Sequence, residues 1–253
     1  MNILVIPDSH VRAATDLNRW KSLGEYAAEH KPEVILHLGD WADMPSLSSY
    51  DVGKKEFEGR TYQSDINSTN ESIEIFEAAL YQKSHKKKRT YNPIKIVLKG
   101  NHENRIARAV NLDRKLDGTI SYDDFDFERR GWRVNEFLNC VLVEGVAFSH
   151  YFVSGVLGKA IGGEHPAASL IKKQFASCVV GHGHMYDYAE RTDANGKKLQ
   201  ALVAGCFLAQ DQVEAYAGPA QKMWRNCISI LKNVKDGQFD FEVISTKALE
   251  DTY

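Results

Sequence analysis

His182 and His184 stand two positions apart in "VVGHGHMYDYAE", with only Gly183 between them. A single histidine at the end of an apolar strand is ordinarily a packed, hydrogen-bonded core residue. A pair two apart is harder to ascribe to packing, because residues i and i+2 of an extended backbone point the same way. Four other strings in the chain carry the same residue types: "PDSH" with Asp8 and His10, "GDWAD" with Asp40 and Asp43, "KGNHE" with Asn101 and His102, and "FSH" with His150. Each alone is weak evidence. D-x-H arises by chance, Asn-His after glycine suits a turn, and Asp43 suits a helix N-cap. Yet each string directly follows an apolar run, and five such coincidences do not read as unrelated turns.

The donor inventory defines the chemistry. His10, His150, His182 and His184, with Asp8, Asp40 and Asn101, make a mixed imidazole and oxygen set, leaving His102 and Asp43 to spare. Such a set suits Mn, Fe, Zn, Ni or Co. It suits Ca or Mg poorly, since those ions prefer oxygen throughout. Seven ligands exceed the needs of one ion, and with one carboxylate shared they provide two four-ligand sites.

The elements that must position these groups are legible. "NILVIPD" (2–8), "EVILHLGD" (33–40) and "IKIVLKG" (94–100) read as strands buried on both faces. A helix over roughly 15–30, with Leu17, Trp20, Leu23 and Ala27 at helical spacing, joins the first two into a βαβ unit with parallel strands. Ser68-x-x-Glu71 reads as a capping box opening a helix to about 84, and "ENRIARAV" as the start of another. The later part reads as hairpins. "NCVLVEGVAFSHYF" turns at Glu144-Gly145, "SCVVGH" is one more strand, and Asn195-Gly196 and Asp236-Gly237 are turn signals. Ligands of α/β sheets lie beyond the carboxyl ends of the strands, so parallel strands carry most of the candidate groups to one edge. The expectation is a single domain over 1–253, with irregular or lid-like segments near 44–66 and 111–137. The glycine-rich stretch 151–166 follows His150 and reads as a mobile substrate loop, with His165 a further site candidate.

Composition narrows the setting. The chain has 253 residues, 43% hydrophobic and 26% charged, with a net charge of −2. That balance gives no general drive toward nucleic acid or anionic membrane. "MNILVIPDSH" lacks a basic n-region, and no window reaches the length of about 18 apolar residues that a membrane span needs. Cys140, Cys178, Cys206 and Cys227 are scattered without a C-x-x-C, as reduced and mostly buried thiols would be. A cytoplasmic location with no membrane partner is expected.

The ordered set D-x-H, G-D-x-x-D, G-N-H-E, a lone His and G-H-x-H, spanning residues 8–184, resembles that of the calcineurin-like metallophosphoesterase superfamily, with a loose likeness to its bacteriophage-encoded members. The resemblance implies the fold: an α/β, four-layer α/β/β/α sandwich of two mixed β-sheets flanked by helices, with the site at one edge. It implies that Asp8, His10 and His184 hold one divalent ion, Asn101, His150 and His182 a second, and that Asp40 bridges them. Mn²⁺ is the ion expected in vitro, with Fe, Zn, Ni or Co as alternatives. Two divalent ions against two aspartates and a bridging hydroxide leave a residual charge of about +1 to attract a phosphate ester, and paired ions activate water for in-line attack. Gly183 is expected to keep the crowded backbone between the two histidines free of a side chain. The resemblance also implies that His102 protonates the leaving oxygen or stabilises the transition state, with Asp43 orienting it. A cap on the helix beginning near Glu103 is the alternative for His102.

Substrate signals are thinner. The phosphoprotein phosphatases of this superfamily continue the second motif as D-R-G and place arginine before G-N-H-E. Here the sequence runs Asp43-Met44-Pro45, and Lys99 precedes Gly100. The reading therefore leans to a phosphodiester or nucleotide substrate, with Lys99 and Arg105 as candidate phosphate contacts. A metal-dependent DNA or RNA nuclease is the second reading. It draws on the basic run "KSHKKKR" (83–89), which reads equally well as a solvated helix end. A protein phosphatase and a non-catalytic scaffold rank below these.

Overall fold

The computed structural model describes residues 1–49, 53, 55–84, 91–214 and 216–253. Its first half alternates strand and helix: β1 (Ile3–Ile6), α1 (Asn18–His30), β2 (Val34–His37), α2 (Tyr62–Ser84), β3 (Ile94–Leu98), α3 (Asn104–Leu112) and β4 (Arg133–Asn135). The remainder runs β5 (Val141–Val143), β6 (Val146–Ser149), β7 (Val153–Ser154), β8 (Lys159–Ala160), α4 (Pro166–Gln174), β9 (Cys178–Val180), β10 (Tyr186–Thr192), β11 (Lys198–Ala204), β12 (Cys227–Lys235), β13 (Gln238–Ser245) and α5 (Thr246–Thr252). One sheet has the order β13-β12-β1-β2-β3-β4 and the other β10-β11-β9-β6-β5. Both are mixed. In the first, β1 to β4 are parallel and the β12–β13 hairpin joins antiparallel to β1. In the second, β6, β9 and β11 are parallel, with β5 and β10 antiparallel at the edges.

The apolar strand runs exist because both faces of each sheet are covered. In β1, Ile3 and Val5 face the second sheet, meeting a layer that includes Phe148, Val179 and Leu202. Leu4 and Ile6 face the opposite way, onto Trp20, Leu23 and Phe76 of α1 and α2. On the outside of the second sheet, Val180, Ala201 and Val203 pack against Ala167, Leu170 and Ile171 of α4. The layers are therefore helix, sheet, sheet, helix, as the motifs implied. No helix among the described residues is long and apolar enough to cross a membrane.

Several local expectations need correction. Helix α2 begins at Tyr62, not Ser68, because the Thr61 hydroxyl accepts from the Ser64 N–H at 3.2 Å and caps the helix there. Ser68 lies inside the helix and donates back to the Ser64 carbonyl. Segment 111–137 is irregular, but Phe125, Phe127 and Trp132 from it are buried in the helix-side core. That is the packing of a plug rather than of a lid. Stretch 151–166 contains the small exposed hairpin β7–β8. The basic run 83–89 falls outside the described residues beyond Ser84.

One buried imidazole joins the core to the site. His37, at the end of β2, is fully buried and stacks on Trp41 with ring centroids 4.5 Å apart. Gly39 N–H donates to its Nδ1 at 3.2 Å, so the proton sits on Nε2 and is given to Ser9 Oγ at 3.0 Å. Burial holds its pKa down to about 3. An unfolded imidazole titrates near 6.5, so the folded ring's neutrality contributes fully above pH 6.5 and is lost as pH falls toward 3. We expect His37→Asn to be less stable, and its unfolding midpoint to lose about one proton of pH dependence between roughly pH 6 and 4, about 1.4 kcal/mol per unit. Denaturant titrations of both proteins at several pH values test this, and identical slopes would refute it.

Candidate metal centre

The strands deliver the candidate groups to one edge. Asp8 and His10 follow β1, Asp40 follows β2, and Asn101 and His102 follow β3. His150 follows β6, and His182 and His184 follow β9. Asp8, His10 and His184 each present a ligand atom within 4.8 Å of the others, as do Asp40, His150 and His182. His10, Asp43 and His102 form a third group of this kind. Asp40 lies between the clusters: its Oδ2 is 3.5 Å from His10 Nε2, 3.4 Å from His150 Nε2 and 3.9 Å from His102 Nε2.

The backbone here is not that of strands. His182 and His184 have φ of 64° and 55°, and His10 and Asp40 have 42° and 53°. These left-handed residues lack the glycine that usually occupies such positions, at a cost of about 1–3 kcal/mol each. Extended geometry therefore does not aim the two histidines together. His184 Nε2 lies 3.2 Å from Asp8 Oδ2, whereas the His182 ring lies 5.2 Å from that of His150. The glycine that matters sterically also differs from expectation. A Cβ on Gly183 would meet only Val203, at 3.9 Å. On Gly181 it would fall 2.2 Å from Asp8 Oδ1, and on Gly100 it would fall 2.1 Å from Asp40 Oδ1.

The donor chemistry fits divalent cations. His10 is fully buried, and neither ring nitrogen has a hydrogen-bond partner. Burial, then the charge of His102, lowers its pKa, so its lone pair is free. His150 gives its Nδ1 proton to the Leu38 carbonyl at 2.9 Å. Its Nε2 then faces two acceptors, Asn101 Oδ1 at 2.8 Å and Asp40 Oδ2 at 3.4 Å. Turning the Asn101 amide over would relieve the first contact but leave the second. A second proton on His150, or a cation, would satisfy both contacts. Without a metal the proton is favoured: burial opposes it, but Asp40 and Asp8 lift His150 to about 9. Burial holds His182 down to about 4, so it too is a neutral donor. Burial would raise Asp8, yet the His184 hydrogen bond and the His150 charge outweigh it and bring the carboxyl to about 2.

His102 stands apart from these ligand pairs. Its Nδ1 proton points at Asp43, with Oδ1 at 2.9 Å and the carbonyl at 2.8 Å. Burial and Arg105 disfavour its charge, but Asp40 and Asp43 prevail and raise its pKa above the ordinary value. It does not cap α3, where Glu103 holds the N-cap position. Arg105 joins the site, donating to the Asp43 and Met44 carbonyls and bringing Nη2 to 3.3 Å from His102 Nε2. Lys99 is engaged elsewhere, paired with Glu136 at 2.6 Å and lying over the Tyr122 ring. His165 is exposed at the N-terminus of α4.

Three supporting residues were not singled out by the motifs. Glu103 accepts from the N–H groups of Gly100, Asp40 and Ala42, locking the second and third motif loops together. Burial, then Asp40, pushes its pKa up to about 7. Arg12 bridges Asp43 at 3.0 Å and the buried Glu214 at 3.2 Å. Glu214 Oε1 lies 3.8 Å from His10 Nδ1. Nothing in the sequence around Glu214 marks it, whereas Arg12 stands two residues after D-x-H and Glu103 closes G-N-H-E.

The sequence model of the calcineurin-like phosphoesterases matches residues 1–216. No curated protein matches the chain. Similar solved structures include a conserved Streptococcus pneumoniae TIGR4 protein described as a predicted phosphoesterase. It is 12% identical, with 97% of this chain and 90% of that one covered and a TM-score of 0.40. Another is Yfce, a phosphoesterase from E. coli, 13% identical, with 97% and 100% covered and a TM-score of 0.41.

The glycine geometry yields a test. Gly100→Ala and Gly181→Ala must displace Asp40 and Asp8, and we expect each to weaken Mn²⁺ binding by on the order of 10–100-fold. Gly183→Ala should bind like the parent. Isothermal titration with Mn²⁺, with circular dichroism to confirm folding, distinguishes these outcomes.

Proposed function

Because the chain belongs to the calcineurin-like phosphoesterase family of metal-dependent phosphoric ester hydrolases, we propose that it hydrolyses a phosphodiester or nucleotide at a pair of divalent ions. The carrying observation is His10, a fully buried imidazole whose two nitrogens have no partner but face carboxylates. Asp8, His10 and His184 would hold one ion, Asn101, His150 and His182 the other, and Asp40 would serve both. Mn²⁺ suits this donor set, as do Fe, Zn, Ni and Co. When bound, such a pair makes water nucleophilic near neutral pH and neutralises the phosphoryl oxygens.

The chain's own residues handle the leaving group. Asp43 fixes the His102 tautomer through Nδ1, which leaves Nε2 to carry the proton that an alkoxide leaving group needs. Arg105 beside that Nε2 restrains the ring from holding the proton too tightly. Arg12 acts on the same pair by orienting Asp43 from the other side.

A diester is favoured because the cations near the site are already engaged. Lys99 is paired with Glu136, Arg12 with Asp43 and Glu214, and Arg105 with two carbonyls. A monoester dianion would find little free guanidinium. The nuclease reading would draw on residues 83–89, outside those described, and a steep salt dependence of nucleic-acid binding would mark it.

Two outcomes follow. Chelation should abolish hydrolysis, and Mn²⁺ should restore it. His102→Ala should lower kcat about 100-fold or more on alkyl esters but on the order of tenfold or less on nitrophenyl esters, whose leaving group needs no proton. Equal losses on both would remove the proton-donor role.

A further inference from the structure

Aromatic rings pack against both histidines of G-H-x-H. Tyr151 packs on His182 with ring centroids 4.5 Å apart, lies 5.5 Å from the His150 ring, and is backed by Phe137 at 5.8 Å. Trp224 meets His184 in a T-shaped contact at 4.2 Å, with Tyr216 at 6.0 Å from it. Tyr151 and Trp224 are both partly exposed. The other tryptophans, Trp20, Trp41 and Trp132, are buried.

Trp224 is held in place by the fold. It belongs to the loop between β11 and β12, whose neck is closed by Cys206 N–H to the Arg225 carbonyl at 2.9 Å and by Asn226 bonded both ways to Leu208. Arg225 N–H also donates to the His184 carbonyl at 3.0 Å, tying the residue after Trp224 to a candidate ligand. The same loop sends Gln212 inward to the His10 carbonyl.

We propose that Trp224 and Tyr151 are stacking platforms for the two nucleobases flanking the scissile phosphate, which makes the substrate a base-bearing phosphodiester. This rests on the phosphoesterase reading above and narrows it. A phosphate held at the cluster would have the ring at His182 and the ring at His184 as neighbours for its ester substituents. Flat, partly exposed rings there favour flat substituents over flexible alkyl ones, and base–aromatic stacking is worth about 1–3 kcal/mol per base.

Hydrolysis of a dinucleoside monophosphate and of a glycerophosphodiester, both in Mn²⁺, gives one test. The KM for the dinucleotide should be on the order of tenfold lower. Trp224→Leu should bring the KM ratio close to one, and Trp224→Phe should keep it. If Trp224 merely buttressed His184, Trp224→Leu would move both KM values alike, and that result overturns the proposal. Binding without turnover gives the second test. Guanosine monophosphate should quench tryptophan fluorescence saturably, through the one tryptophan within reach, and ribose phosphate should not. Equal quenching by both, or none by either, overturns the platform. The titration needs no hydrolysis, so a protein that cleaves neither diester would refute the phosphoesterase reading while still testing the stacking.

Discussion

Asp8, Asp40, Asp43, Glu103 and Glu214 bring five carboxyl groups out of water at one edge of the molecule. Positive charge must meet them there. Two unit charges about 4 Å apart interact by about 4 kcal/mol at an effective dielectric of 20, a large fraction of a typical net folding stability. The protein supplies part of the compensation itself. Arg12 lies between Asp43 and Glu214, three backbone N–H groups meet Glu103, whose pKa rises to about 7, and a proton is favoured on His150, raised to about 9. Burial and the Asp40 charge drive the Glu103 shift; at His150 the carboxylates overcome burial. A divalent ion would replace the proton on His150, so the features that make this edge costly are those that favour a metal.

The same demand accounts for the backbone. His10, Asp40, His182 and His184 all take left-handed conformations without being glycine. Such geometry persists only where surrounding bonds over-determine it. Ser9 and His10 N–H groups both donate to the Asp40 carbonyl, and His182 N–H donates to the Asp8 carboxylate. Arg19, almost fully buried, donates to the Ser9 and Phe207 carbonyls behind the loop. The ligand loops are thus held through their main-chain N–H and C=O groups, so a ligand imidazole such as His10 needs no partner to keep its place. That is how His10 can remain buried and unpaired.

What could be read in the sequence followed from locality. The parallel strands and the polar groups at strand ends appear as runs and spacings, so convergence on one edge was legible in the sequence, whereas the two-sheet sandwich was implied only by the family resemblance. The helix-side burial of Phe125, Phe127 and Trp132 was not, because no period marks a plug of irregular turns. Ser68-x-x-Glu71 looked like a cap, but Thr61 starts the helix earlier, since tertiary packing stabilises the additional turns. Gly183 attracted attention by lying between two histidines. The steric need falls on Gly100 and Gly181, because a carboxylate from another strand reaches each of them. Glu214 and Lys99 make the same point: what a charged side chain does is decided by partners distant in sequence.

The division of the site between two sheets has a mechanical consequence. Asp8, His10, Asp40 and Asn101 come from the sheet of β1 to β3, and His150, His182 and His184 from that of β6 and β9. Far from the site, the turns at Glu144-Gly145 and Asp236-Gly237 touch, with Gly237 N–H donating to the Glu144 carbonyl at 2.7 Å. At the site end the sheets are joined by Asp8 to His182 N–H and by His150 to the Leu38 carbonyl. The distance between the ligand sets is therefore set by the thickness of the apolar layer of Val5, Leu36, Phe148 and Val179 between these two fastenings. Ions drawing ligands from both sheets add a third fastening. Metal affinity and the packing of that layer then become one coupled quantity, and a cavity made deep between the sheets is felt at the metal centre without touching any ligand.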